Sequence, residues 1–295
     1  MMNILKKPLA LASAALLLAS CSDWTKVESV DLKSRNPWES NPYRWEQYWD
    51  VIRTYKQGRH YTTYMRFENS STKITSEKNF LRCLPDSLDI VSLTNGENFS
   101  AADAEDMEWM KKVGTKVLYQ LNLSTGIDVA TAIEKAIATV KENALDGYSF
   151  TASSKDIATT AVSILSEAKS GEQILAFEGY HGFIAKEDVE KVDIFVLATE
   201  SVENTYDLGE IIEDAASQGI SKDKMILAAS MNGAFYNSEN VELPVLEAMA
   251  DNVINFGPLK GIAFYDAQSD YYHYTGNWMT VNSVIARLNP SPSGK

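Results

Sequence analysis

From residue 60 onward, short apolar runs rich in β-branched and aromatic residues recur along the chain. They are Tyr61–Phe67, Leu88–Leu93, Lys116–Leu121, Leu145–Thr151, Ile174–Phe177, Val192–Leu197, Met225–Ala229 and Gly261–Tyr265. Each has the length and composition of a strand. Their starts lie 27, 28, 29, 29, 18, 33 and 36 residues apart, the size of a strand plus a crossover helix. Several connecting segments carry a helical period. Ile127-Asp128-Val129 opens one, and Ile133, Ile137 and Val140 continue its apolar face. Ser154 is placed to cap another, with Ile157, Ile164 and Leu165 inside it. Leu208, Ile211, Ile212 and Ala215 mark a third, and Met279 to Leu288 the last, stopping before Pro290. Runs such as Ile194–Leu197 are apolar on both faces, as a parallel sheet covered by helices requires.

Eight strand–helix units in about 230 residues match a (β/α)8 barrel, typically about 250 residues long. An open doubly wound sheet is the competitor. That fold usually carries a glycine-rich phosphate loop after its first strand, and neither common form of that loop occurs here. The expected fold is therefore a single-domain α/β chain, a (β/α)8 TIM barrel, with any site at the C-terminal ends of its strands. Ahead of it, Asn41-Pro42 reads as a helix start. Trp45, Tyr48, Trp49 and Ile52 form one apolar face of a helix ending near Gly58. This helix suits two roles, a plug for one end of the barrel or an aromatic platform for a ligand.

The N-terminus has an order of its own. Lys6 and Lys7 precede an apolar run, Leu9 to Leu18, and Leu18-Ala19-Ser20-Cys21 follows at once. The run is too short for a bilayer core of about 30 Å, so residues 1–20 read as a signal peptide. The order resembles a bacterial lipobox, in which Cys21 would be lipidated and become the mature N-terminus. An ordinary secretory signal with an incidental Cys21 is the alternative. Residues 21–43 then form the lipidated cysteine and a polar tether, and residues 44–290 the barrel with its leading helix. The implied location is the cell envelope, with the outer membrane as the expected home of the anchor.

Composition narrows the function classes. With 45% apolar and 23% charged residues, the 295-residue chain can bury a full core. Its 27 Lys and Arg against 40 Asp and Glu give a formal charge of -13; such a surface repels phosphate backbones, so no nucleic-acid partner is expected. Two cysteines, Cys21 and Cys83, exclude a disulfide framework and a thiolate zinc site. His60, His181 and His273 lie in separate units without ligand spacing. No metal and no cofactor are expected.

The fourth strand region reads Leu145-Asp146-Gly147-Tyr148-Ser149-Phe150-Thr151-Ala152-Ser153. It resembles the fourth strand of glycoside hydrolase family 18, the chitinase and endo-β-N-acetylglucosaminidase group, whose motif is D-G-x-D-x-D-x-E. The entry segment Tyr48 to Phe67, with Tyr55, Lys56 and His60, resembles family-18-like lipoproteins of the Bacteroidota. Gly114 to Leu118 is similar to the family's third strand. Gly261 to Tyr265 is similar to the eighth, where many members place an aromatic under the sugar. The resemblance spans residues 45–288. It implies that the final Glu of the motif protonates the glycosidic oxygen and that the Asp two places earlier orients the substrate acetamido group, which acts as nucleophile. Here those positions are Ser153 and Thr151, and Ser149 replaces the remaining inner Asp. A serine hydroxyl is no general acid near neutral pH. The tyrosine that several members place after strand six is also missing, Tyr206 being the first. The expectation is a degenerate, non-catalytic barrel. Asp146, of opposite strand parity, is expected to be structural.

A sugar cleft wants aromatic faces beside amides and carboxylates. The segment after strand eight is dense in both: Tyr265, Asp266, Gln268, Asp270, Tyr271, Tyr272, His273, Tyr274, Asn277 and Trp278. The same pattern fits a loop folded over the barrel top with its tyrosines buried. Asn95, Asn122, Glu178, Tyr180, Glu200 and Asn232 end other strands and would ring the same opening, although Tyr180 equally suits packing against a helix. The glycan-binding candidates are therefore Asn95, Asn122, Glu178, Tyr180, Glu200, Asn232, Tyr265, Asp266, Tyr272 and Trp278. The expected role is capture of N-acetylglucosamine-containing glycans, held at the membrane through Cys21 for neighbouring hydrolases and an outer-membrane importer. Two alternatives stand beside it. One is a glycosidase whose acid has moved to Glu68, Glu178, Glu200 or Asp266. The other is a protein-interaction scaffold using the Trp45/Trp49 helix or the tyrosine loop.

Overall fold

The structure, a computed structural model, describes residues 37–69 and 76–290. The signal segment, Cys21 and most of the tether lie outside the described residues. In the short unit that ends at Gln47, Asn41 opens helix α1 (Pro42–Gln57), its side chain accepting the Arg44 N–H at 3.2 Å.

Eight strands close on themselves in parallel, each within or overlapping one of the expected runs. They are β1 (Thr62–Phe67), β2 (Ile90–Leu93), β3 (Lys116–Leu123), β4 (Gly147–Ala152), β5 (Ile174–Gly179), β6 (Ile194–Leu197), β7 (Met225–Ser230) and β10 (Gly261–Tyr265). Neighbours in sequence are neighbours in space, and β10 returns to pair with β1. The closed ring excludes the doubly wound alternative. Alternation along the strands sends Tyr64, Ile90, Leu118, Ala176, Ile194, Val196, Ile226, Ala228, Ala263 and Tyr265 into the barrel, where they form one cluster. The opposite parity, including Met65, Phe150, Phe177, Phe195 and Phe264, is buried beneath the surrounding helices.

Those helices are α2 (Ala101–Val113), α3 (Val129–Asn143), α4 (Lys155–Ala168), α5 (Thr205–Ser217), α6 (Val245–Asn255) and α7 (Met279–Leu288). Ser100, Asp128, Ser154 and Asn204 cap the first four by accepting a backbone N–H of the opening turn. Two crossovers depart from the strand–helix rule. Between β5 and β6 the chain makes only 3-10 turns, His181–Phe183 and Lys186–Lys191, because the 18-residue repeat is too short for a helix and its two loops. Between β1 and β2 the described residues likewise form only short 3-10 turns. A small hairpin, β8 (Phe235–Tyr236) with β9 (Glu242–Leu243), interrupts the path from β7 to α6, and no sequence signal announced it.

The N-terminal end of the barrel is stapled by three aspartates. Each stands at a strand start and accepts a backbone N–H from the preceding strand: Asp89 from Thr63 at 2.8 Å, Asp146 from Val117 at 2.9 Å and Asp193 from Leu175 at 2.8 Å. Asp146 also holds Lys116 Nζ at 3.0 Å. Gly147 beside it has a φ of 138°, and a Cβ there would sit 2.1 Å from the Ile174 carbonyl oxygen. The Asp-Gly pair that opens the strand-four motif therefore serves strand closure.

From Tyr48 on, α1 seats against this same end. Lys56 Nζ donates to Leu88 O at 2.6 Å and to Thr115 Oγ1 at 2.7 Å, and Arg53 donates to Lys112 O at 2.9 Å. Trp49 is buried edge-on to Trp109 with Lys112 over its ring. Its indole presents no platform to a ligand.

Candidate functional site

The C-terminal end of the barrel holds a polar layer above the apolar cluster. Its centre is Glu178, the penultimate residue of β5, fully buried and inward-facing. Five side chains donate to its carboxylate. Tyr64 OH at 2.7 Å, Ser92 Oγ at 3.0 Å and Gln120 Nε2 at 3.3 Å reach Oε1. Arg66 Nε at 2.5 Å and Tyr265 OH at 2.9 Å reach Oε2. Strands β1, β2, β3 and β10 thus converge on one carboxylate from β5. Burial alone would push the Glu178 pKa up, but the Arg66 charge and the hydrogen bonds from Tyr64 and Arg66 outweigh it. The carboxyl is held below its ordinary value. The two phenols stay protonated, because burial and the Glu178 charge lift both far above the usual range.

Arg66 roofs this layer. Its guanidinium lies 3.8 Å over the Tyr265 ring, and its side chain is 28% exposed. Tyr265 therefore differs from the sugar platform that the family resemblance implied, since Arg66 covers one face of its ring and its hydroxyl points down to Glu178. Glu178 likewise differs from the expected rim residue, because the five donors hold it below the opening. No local signal could have shown this, since the partners come from strands as much as 114 residues apart.

The three degenerate positions, two in β4 and one just past its end, are all engaged in hydrogen bonds. Ser149 is buried with its Oγ 2.6 Å from Ser92 Oγ. Thr151 donates to Asn122 Oδ1 at 3.1 Å, and Ser153 Oγ accepts the Thr125 N–H at 3.1 Å. No carboxylate stands on the inward side of β4.

Around the opening, Asn122, Asn232 and Asp266 are exposed, and Asp266 accepts from Ser230 Oγ at 2.6 Å. Glu200 is half-buried, and its Oε2 is enclosed without a hydrogen-bond partner. Asn95 belongs to a turn, accepting from Asn98 and donating to Asn69 O, and it is committed to the ends of β1 and β2. Tyr180 leaves the ring of the mouth. Half-exposed, it packs edge-on to Phe183 and walls a separate groove of about 320 Å³ with His181, Ala198, Glu210, Ile211 and Asp214.

The aromatic segment after β10 divides. Trp278 is 3% exposed, stacks edge-on with Tyr271 and donates Nε1 to Cys83 O at 2.6 Å; it is a packing residue rather than a sugar contact. Tyr271 is buried and bonds Glu77. Tyr272 and Tyr274 remain exposed, the first with its hydroxyl 3.0 Å from Ser76 Oγ. Both readings of this loop thus describe part of it. Among the described residues no group of three or more His, Cys, Asp or Glu is arranged to hold a metal ion. His60 pairs with Asp89 and His181 with Asp214, each at 2.9 Å.

Comparison with known proteins adds the following. The family model described as glycoside hydrolase family 18, BT1044-like, matches residues 25–184. A solved selenomethionine form of BT1044, with one glutamate changed to glutamine, superposes with a TM-score of 0.71 at 16% identity, covering 88% of this chain and 98% of that one. A chitinase from Bacteroides thetaiotaomicron gives 0.56 at 10% identity, over 80% of this chain and 99% of its own. A fungal endo-β-N-acetylglucosaminidase of the same hydrolase family gives 0.53 at 12%, over 78% and 99%. At these identities the solved structures speak to the fold alone. No curated protein matches the chain.

Proposed function

We propose a glycan-binding, non-hydrolytic role for this chain, which belongs to glycoside hydrolase family 18 in its BT1044-like branch. The observation that carries the proposal is the inward side of β4 and its end, where Ser149, Thr151 and, just past the strand, Ser153 stand in place of the acids of the family motif. Proton donation to a leaving oxygen needs a group that titrates near the working pH. Hydroxyls do not, and the buried carboxylate nearest them, Glu178, is held ionised by Arg66 and its other donors. What remains at the mouth is a set of amides, hydroxyls and carboxylates suited to hydrogen-bonding sugar hydroxyls. Membership of the family supports the ligand class that the sequence resemblance implies, a glycan containing N-acetylglucosamine. With Cys21 as lipid anchor, the role is capture at the outer membrane for neighbouring hydrolases and an importer.

One observation favours a second reading, hydrolysis with a relocated acid. Glu200, just past the end of β6, faces the mouth with one carboxylate oxygen enclosed and without a hydrogen-bond partner.

Both readings meet in one experiment. The purified chain is applied to a mixed glycan array, and the same glycans are assayed for cleavage after overnight incubation. Binding with glycan intact, weakened several-fold in Asn122→Ala or Asn232→Ala through loss of about 1 kcal/mol per hydrogen bond, is the expected result. Cleavage abolished by Glu200→Gln would overturn the non-hydrolytic role and establish the second.

A further inference from the structure

We infer that the floor of the barrel mouth receives the carboxylate of an acidic sugar on the outer edge of Arg66. The inference rests on the glycan-binding reading and names its ligand class. Arg66 is inward-facing near the end of β1, and the barrel below it is filled by the apolar cluster. Its 28% exposure can open only through the mouth. Its Nε is taken by Glu178, and Nη1 and Nη2 make no hydrogen bond with any described residue. Both amino groups of the planar guanidinium are therefore left for a ligand, in the fork that matches a carboxylate.

The fork is also held in advance. Stacking at 3.8 Å over Tyr265 and the 2.5 Å bond to Glu178 fix a side chain that would otherwise lose rotamer freedom on binding. The inward positions of β4 that carry acids in the family motif are neutral here, so nothing on that strand repels an anion. Carboxylates stand at the opening instead, as Glu200 and Asp266. A ligand consistent with this polarity presents its anionic group to the floor and its hydroxyls to the rim. That describes a terminal acidic sugar entering carboxylate first.

The test is titration calorimetry on the purified chain with two matched pairs. One pair is a sialylated N-glycan and its desialylated form, and the other a glucuronate-ended hyaluronan tetrasaccharide and its carboxyl-reduced form. The expected result is that one acidic probe or both bind about tenfold more tightly than the neutral partner. Arg66→Lys keeps the charge but loses the fork and should remove most of that margin, with the far-UV spectrum unchanged. Asn122→Asp adds a charge at the exposed mouth without touching Arg66, and should weaken the acidic probe more than its partner. Equal affinity for both members of each pair, or preference for the neutral member, overturns the inference while glycan binding stands. Cleavage of the probes would overturn the binding role itself.

Discussion

Glu178 carries a charge in a place where charges are expensive, and its neighbours set what happens when that charge is removed. Taking one partner out of a buried, hydrogen-bonded ion pair leaves the other uncompensated. Glu178→Gln should therefore destabilise the chain by about 3 kcal/mol at pH 7, read from urea unfolding. The pH dependence has a definite sign. A carboxyl whose folded pKa lies below its ordinary 4.5 stabilises fully above that value and loses the contribution as pH falls through the folded pKa. The gap between wild type and Glu178→Gln should then be constant near neutrality and close as the pH drops below about 4.5. A gap that widens in acid would mean the carboxyl is protonated in the folded chain.

At the scale of elements, Lys56 ties α1 to the N-terminal end of β2 and β3. Burial pushes its pKa down to about 8 against the opposing pull of Asp89 and Asp86. The folded chain thus binds fewer protons than the unfolded chain between about 8 and 10.5, so stability should rise across that window. Lys56→Met, which cannot titrate, should flatten the rise; unfolding at pH 7, 8, 9 and 10 would show it. The same elements show what was legible in the sequence. The eight strands and α7 could be read because apolar runs and spacing are local signals, and of the four caps Ser154 was legible as a serine just ahead of a helical period. The β8–β9 hairpin was missed because its strands are two residues each, too short for any period. Trp278 was misjudged because aromatic density does not distinguish an exposed ring from one closed over Cys83. The convergence on Glu178 depended on which strands of a closed ring face one another, and no window of sequence contains that information.

Across the whole molecule, the two ends of the barrel divide the work. One end holds the backbone staples of Asp89, Asp146 and Asp193 and the seat of α1; the other holds the polar mouth over Glu178. The residues that define the family's strand-four motif split along the same line. Asp146 and Gly147, which close the strands, are present, and the acids of the mouth are replaced. Substitution at the mouth therefore leaves the barrel standing.

The contact between Ser149 and Ser92, which in turn donates to Glu178, also limits what position 149 can carry. An aspartate at position 149 would place a second carboxylate against one already clamped in a buried layer. Two such charges repel, and one must take a proton or the layer must open. Ser149→Asp should lower thermal stability at pH 7 and recover part of it as the pH is lowered and the new carboxyl takes a proton. With Glu178 in place, that single step is uphill, so the network works as a ratchet. An acid at position 149 therefore becomes tolerable only once the clamp of Arg66 on Glu178 is dismantled.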